Sequence, residues 1–114
     1  MEVIFVKVVK RSEIDTKSSL SVVITKDNAG AENCQAGIGR LQVGKSVPGE
    51  GFSKHPTEEI CLILKGKIKV ETQDKVEYIS EGDLVFIPKN EEHKNTNIGD
   101  VEAEIFWVTS PPTL

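Results

Sequence analysis

The chain is built from short apolar runs, many of them alternating with polar residues, and turn-forming residues separate them. This pattern predicts strands almost throughout. Val3 to Val9 and Leu20 to Thr25 are β-branched runs, the second bounded by Ser18-Ser19 and Asp27-Asn28. Lys26 to Asn33 reads as a loop because Asp, Asn, Gly and Glu cluster there. Ile38 to Val43 predicts a strand, followed by a glycine- and proline-bearing stretch from Gly44 to Pro56. Glu59 to Leu64, Lys67 to Thr72, Lys75 to Ile79 and Leu84 to Ile87 predict successive strands, with turns at Lys65-Gly66, Gln73-Asp74 and Glu81-Gly82-Asp83. Pro88 ends the last of these because it cannot donate to a ladder. Asn90 to Thr96 is polar, with room for a very short strand, and Val101 to Val108 predicts the final strand before Pro111-Pro112. Helical spacing is nearly absent, and one turn capped by Ser12 is predicted around Ser12 to Thr16. Many short strands at even spacing predict an all-β sandwich or barrel.

Alternation also assigns faces. Glu59, Cys61 and Ile63 share one side of their strand, and Ile60, Leu62 and Leu64 the other. Trp107 lies with Ala103 and Ile105, opposite Glu102 and Glu104, and so faces inward as core or as pocket wall. Arg40 and Gln42 alternate with Leu41 and Val43. If the polar pair faces in, Arg40 can bind an anionic ligand; if it faces out, it is surface. Cys61 is a small apolar filler or a reactive thiol.

Composition narrows the function classes. With 114 residues, 28% charged and 38% hydrophobic, the chain is expected to fold as a single domain over 1–114. A net charge of −4 without any basic run argues against a nucleic-acid partner. No stretch approaches the ~18 apolar residues of a membrane span. The apolar start is interrupted by Lys7 and followed by Lys10-Arg11 without a small-residue cleavage pattern, so a cytoplasmic location is expected. Cys34 and Cys61 lie too far apart for a CxxC motif, and a cytoplasmic setting disfavours a disulfide between them.

The chemistry centres on the only two histidines, His55 and His93, with Glu59 four residues after the first. Imidazole nitrogens and a carboxylate are suitable metal donors, and a barrel interior can bring them together from separate strands. The segment Ser53-Lys-His55-Pro-Thr-Glu-Glu59-Ile-Cys-Leu-Ile-Leu-Lys-Gly66 resembles the first cupin motif, His-x-His, three or four residues, Glu, six residues, Gly. His55, Glu59 and Gly66 match, and Ser53 stands in the place of the first histidine. A second alignment makes His55 the first histidine and Thr57 the second position. The segment from Gly82 to Asn97 resembles the second cupin motif, with Gly82, Pro88, His93 and Asn97 at its spacing and Asn90 where a glycine is usual.

The resemblance to small single-domain cupins implies a double-stranded β-helix, or jelly-roll barrel, with motifs at about 53–66 and 82–97. It implies one divalent metal (nickel, zinc, iron or manganese) held by His55, Glu59 and His93, more weakly than by four ligands. Ser53 is then free to hydrogen-bond a substrate, and Arg40, Gln42, Cys61 and Trp107 are the other substrate-binding candidates. No catalytic residue is assigned. The family includes dioxygenases, decarboxylases, isomerases and lyases, and a fold does not choose among them. Three functions follow: a metal-binding cupin taking a small polar molecule, with or without metal-dependent turnover, a non-catalytic ligand-binding or sensor barrel with a degenerate metal site, or a structural dimer with no ligand. Ile60, Leu62 and Leu64 fall outside the barrel and need cover, from a partner subunit or the N-terminal strand, which agrees with the homodimers common among small cupins. Gly37 and Gly39 echo a dinucleotide-binding pattern but precede a strand rather than open a helix, and are discounted.

Overall fold

Two antiparallel sheets form because most runs alternate and the glycine turns between them are tight enough for hairpins. The computed structural model describes residues 6–112. Among these the strands are β1 (Leu20–Ile24), β2 (Gln35–Leu41), β3 (Ser46–Val47), β4 (Glu58–Lys65), β5 (Lys67–Glu71), β6 (Val76–Ser80), β7 (Leu84–Ile87), β8 (Lys94–Asn97) and β9 (Ala103–Ser110). One sheet has the order β1-β2-β9-β4-β7 and the other β3-β8-β5-β6. They are packed face to face as an all-β jelly-roll barrel. Leu41, Ile63 and Ala103 of the first sheet meet Ile68 and Val70 of the second in one buried cluster.

The registers stack the interior in layers. Leu41 lies opposite Ala103, and Ile63 opposite Ile105. Trp107 is opposite both Gly37 and Cys61, and Thr109 opposite both Gln35 and Glu59. On the facing sheet Ile68 is opposite Asn97 and Val70 opposite Asn95. The apolar layers close one end, and the polar layers with Glu59 occupy the other.

Asn97 secures the closed end. It is 1% exposed, its Nδ2 donates to Leu41 O (2.8 Å) and Val101 O (2.9 Å), and its Oδ1 accepts from the Gly99 amide (2.9 Å). A buried amide satisfied on both sides ties β8 to the end of β2 and to the loop before β9. Asn90 explains itself by backbone shape. Its φ is +62°, the left-handed region that asparagine tolerates better than most residues, so it can stand where the motif carries glycine.

Several sequence expectations shift. The described part of the N-terminal run, Val6 to Val9, joins neither sheet and Val6 is 93% exposed; Val3 to Phe5 lie outside the described residues. The single turn nearby is a 3₁₀ turn at Arg11–Glu13, with Lys10 rather than Ser12 at its N-cap position. The loop after β1 contains one helical turn, Lys26–Ala29, closed by a capping box between Thr25 and Asn28 and ended by Gly30. β2 starts at Gln35 rather than Ile38 and stops at Leu41, because its partner β9 accepts residues 35–41. Pairing with β8 also makes a two-residue strand, β3, within the glycine- and proline-bearing stretch. Among the described residues no helix is long and apolar enough to cross a membrane.

Candidate metal and ligand site

Three elements deliver the donors. β4 begins at Glu58, so Glu59 is the first inward residue of an alternating strand, with Cys61 and Ile63 beyond it. His55 precedes that strand, and its carbonyl accepts from the Asn90 amide at 2.7 Å. His93 comes just before β8 and forms a two-bond bridge with Ser53, both N···O distances 2.8 Å. The result is a cluster in which one ligand atom from each of His55, Glu59 and His93 lies within 4.8 Å of the others. The two imidazoles are 5.3 Å apart at their centroids and tilted by 57°.

The donor chemistry fits a divalent ion. His93 Nδ1 lies 2.9 Å from the Glu91 carbonyl oxygen. A carbonyl only accepts, so Nδ1 carries the proton and the Nε2 lone pair is left for a ligand. Outer contacts of this kind fix the tautomer and ring orientation of metal-binding histidines. The set supplies two imidazole nitrogens and a carboxylate, with positions left open for another ligand. Ser53, directly opposite His93 in the bridge, has its side chain on the same face.

Cys61 Sγ donates to Glu59 Oε2 at 3.0 Å. It lies outside the three-residue cluster and is hydrogen-bonded to its carboxylate. Burial, followed by the neighbouring Glu59 charge, pushes the Cys61 thiol well above its usual range. The thiolate is the reactive form, so this thiol is inert at neutral pH. Cys34 is exposed. In the native protein a thiol-specific disulfide reagent should therefore modify Cys34 alone, and both cysteines only after denaturation. Fast native modification of Cys61 in a Cys34→Ser variant would overturn this.

The remaining candidates separate. Trp107 is 5% exposed, lies inside the barrel, and its indole runs along Gly37 and Gly39 of β2. Arg40 faces the other way. Its neighbour Leu41 enters the core opposite Ala103, while Arg40 is opposite Glu104, with Nε 3.7 Å from Glu104 Oε1 and Nη1 3.4 Å from Ser18 O. Its burial comes from the segment before β1, which lies over the outer face. Gln42 is exposed past the end of β2. The Arg40 guanidinium therefore points outward although Arg40 borders the cavity beside Glu59, and Gln42 is exposed. The register carries Leu41 into the core and Arg40 out.

Asn95 was not singled out from the sequence. It follows His93 by two residues, faces inward opposite Val70, and lines a cavity of about 340 Å³ with Glu59, Cys61 and Trp107. The signal was available in the alternation of His93, Asn95 and Asn97, but a polar run resembles a surface loop. Two buried polar atoms lack a partner among the described residues, Thr57 Oγ1 and Trp107 Nε1. A second cavity, of about 420 Å³, opens between β6 and β7 and is bordered by His93.

Barrel, motif spacing and donor cluster converge on one class. Residues 37–109 match the Cupin_2 family, the cupin domain, and the chain belongs to that family. SchB of Streptomyces halstedii is 29% identical over 92 residues, covering 78% of this chain and 63% of that protein. An uncharacterized protein of Methanocaldococcus jannaschii is 37% identical over 60 residues, covering 52% of this chain and 48% of that one. The chain thus spans roughly half to under two thirds of the length of these curated relatives. Among solved structures, a Thermotoga maritima protein called a predicted oxalate decarboxylase superposes with a TM-score of 0.75 at 26% identity, covering 91% of this chain and 98% of that one. The polyketide cyclase RemF of Streptomyces resistomycificus superposes with a TM-score of 0.74 at 18% identity, covering 95% and 83%, a likeness of fold alone.

Proposed function

We propose that this cupin binds one divalent metal ion through His55, Glu59 and His93 and takes a small polar molecule into the barrel beside it. The observation that carries the reading is the convergence of two imidazoles and a carboxylate within 4.8 Å. A bound ion would supply Lewis acidity to an oxygen of the ligand. The chain's own residues do the rest. The Glu91 carbonyl holds the His93 tautomer, Cys61 steadies Glu59, and Ser53 offers a hydroxyl on the His93 face. The likeness to a predicted oxalate decarboxylase is compatible with turnover of this kind. Elemental analysis of the purified protein tests the reading, with near-stoichiometric nickel, zinc, iron or manganese expected. No metal, even after reconstitution, would sink it.

A second reading is favoured by Ser53, which leaves three donors where the motif has four. In it the barrel binds its ligand without turnover and without needing the metal. Ligand binding that survives chelation, with no metal retained, would select this reading.

The chain's own barrel is proposed to pair with a second copy in the cytoplasm. Ile60 lies opposite Phe86 and Val108, and Leu62 opposite Leu84 and Phe106, all on the outer face. Leu84 is 70% exposed and Phe86 56%. A contiguous apolar face across neighbouring strands marks an interaction site, and a two-fold pair covers it with an identical face. Sedimentation should show a dimer, and a Leu84→Lys, Phe86→Lys double variant a folded monomer. A wild-type monomer at high concentration would overturn the pairing.

A further inference from the structure

The 340 Å³ cavity beside Glu59 has a composition that restricts what can fill it. Its wall is mostly apolar, with Leu41, Val47 and Ile105 around the polar groups of Glu59 and Asn95. Arg40 borders it as well, but its guanidinium is drawn to the outer face, with Nε 3.7 Å from Glu104 Oε1 and Nη1 3.4 Å from Ser18 O, and among the described residues no lysine lines the cavity. In the metal-free protein a ligand part carrying its own negative charge would face the Glu59 carboxylate with no cation beside that carboxylate to offset its desolvation. Asn95 is different. Its side-chain amide offers both a donor and an acceptor, and among the described residues nothing hydrogen-bonds to that amide. A second unpaired donor, Trp107 Nε1, lies buried in the same wall. The indole N–H is buried without a partner and the Asn95 amide is half-buried, so a ligand that hydrogen-bonds them satisfies groups the barrel leaves open. The larger cavity between β6 and β7 lacks this demand: none of its lining residues, Lys75, Glu77 and Glu91 included, has a buried polar side-chain atom left without a partner.

We infer that this cavity takes the neutral, largely apolar body of the ligand, oriented by a carboxamide, hydroxyl or carbonyl group that hydrogen-bonds Asn95. The inference rests on the proposed ligand-binding barrel but not on the metal. Asn95 is thereby a specificity-determining residue: in the metal-free barrel it selects an uncharged polar group over an anionic one.

Trp107 is the only tryptophan and lies in the cavity wall, so its emission reports occupancy directly. The test uses metal-free, chelator-treated protein titrated with cyclohexanecarboxamide and, separately, with the near-isosteric cyclohexanecarboxylate. Excitation is at the red edge, where Tyr78 does not absorb. The carboxamide should give a saturable change in emission and bind about tenfold more tightly, the factor that one matched hydrogen bond of about 1.4 kcal/mol supplies. Asn95→Leu should erase the preference. Equal or tighter binding of the carboxylate, no saturable response to either probe, or a preference unchanged in Asn95→Leu would overturn the inference. The wild-type comparison stands even if that variant misfolds. Metal content, measured separately, keeps the two readings distinct. Purified protein that holds no metal but shows the carboxamide preference removes the metal reading alone, and purified protein that holds metal but shows no preference once chelated removes this inference alone.

Discussion

Replacing His93 with alanine should strip the purified protein of metal, weakening divalent-ion binding by more than about 100-fold. That is the upper end of what changes to supporting residues around a metal cause, and a ligand itself costs more. His93 is the buried member of the three, 5% exposed, and its orientation is set by the Glu91 carbonyl. Without it one imidazole and one carboxylate remain, a pair found on many surfaces without any ion. The reverse experiment is as informative. Ser53 and His93 form a hydrogen-bonded antiparallel pair with side chains on one face, so Ser53→His places a third imidazole beside the existing cluster. That variant should bind nickel or zinc at least about tenfold more tightly, as a four-donor set does over three. Titration calorimetry with each ion, alongside circular dichroism to confirm folding, reads both. A His93→Ala protein that keeps wild-type metal would show that the ion sits elsewhere.

What the sequence revealed about this site follows from period two. Along β4, Glu59, Cys61 and Ile63 could be assigned to one face and Ile60, Leu62 and Leu64 to the other, because a one-residue slip would exchange a carboxylate for the core. Trp107 followed in the same way from its charged neighbours Glu102 and Glu104. At β2 alternation left two options open, because Arg40 and Leu41 are adjacent and both buried although only Leu41 enters the core. Arg40 is covered by Ser18 and its neighbours, a tertiary contact across 22 residues that no local pattern records. β3 was missed for a related reason: two residues become a strand only because β8 runs beside them. The family motifs fixed the positions of His55, Glu59 and His93 in the chain, yet Asn95, between two motif positions and on their face, carried no mark of its own.

Gly37 and Gly39 look interchangeable in the sequence, and the structure predicts opposite outcomes for them. Gly37→Ala should destabilise the protein by about 3 kcal/mol or more, at the upper end of overpacking costs. For a chain of this size that lowers the melting temperature by more than about 10 °C. A Cβ on Gly37 would lie 2.0 Å from Ser21 O, 2.6 Å from Trp107 Cζ2 and 2.9 Å from Trp107 Cε2. The ring can be trimmed by substitution, but Ser21 O is backbone of the neighbouring strand β1 and cannot rotate away. β1 itself must move, which breaks the pairing of Val22 with Gly37. Gly39→Ala instead meets its nearest atom, Trp107 Cδ1, at 3.8 Å, an ordinary contact. It should be close to neutral, since alanine also gives up less backbone entropy than glycine on folding. Thermal melts of the two single variants, and of Gly37→Ala with Trp107→Leu read against Trp107→Leu alone, separate the causes. Persisting instability in the double variant assigns the constraint to the β1 backbone. Recovery would assign it to the indole, and a stable Gly37→Ala protein would mean that β1 does not lie this close to β2.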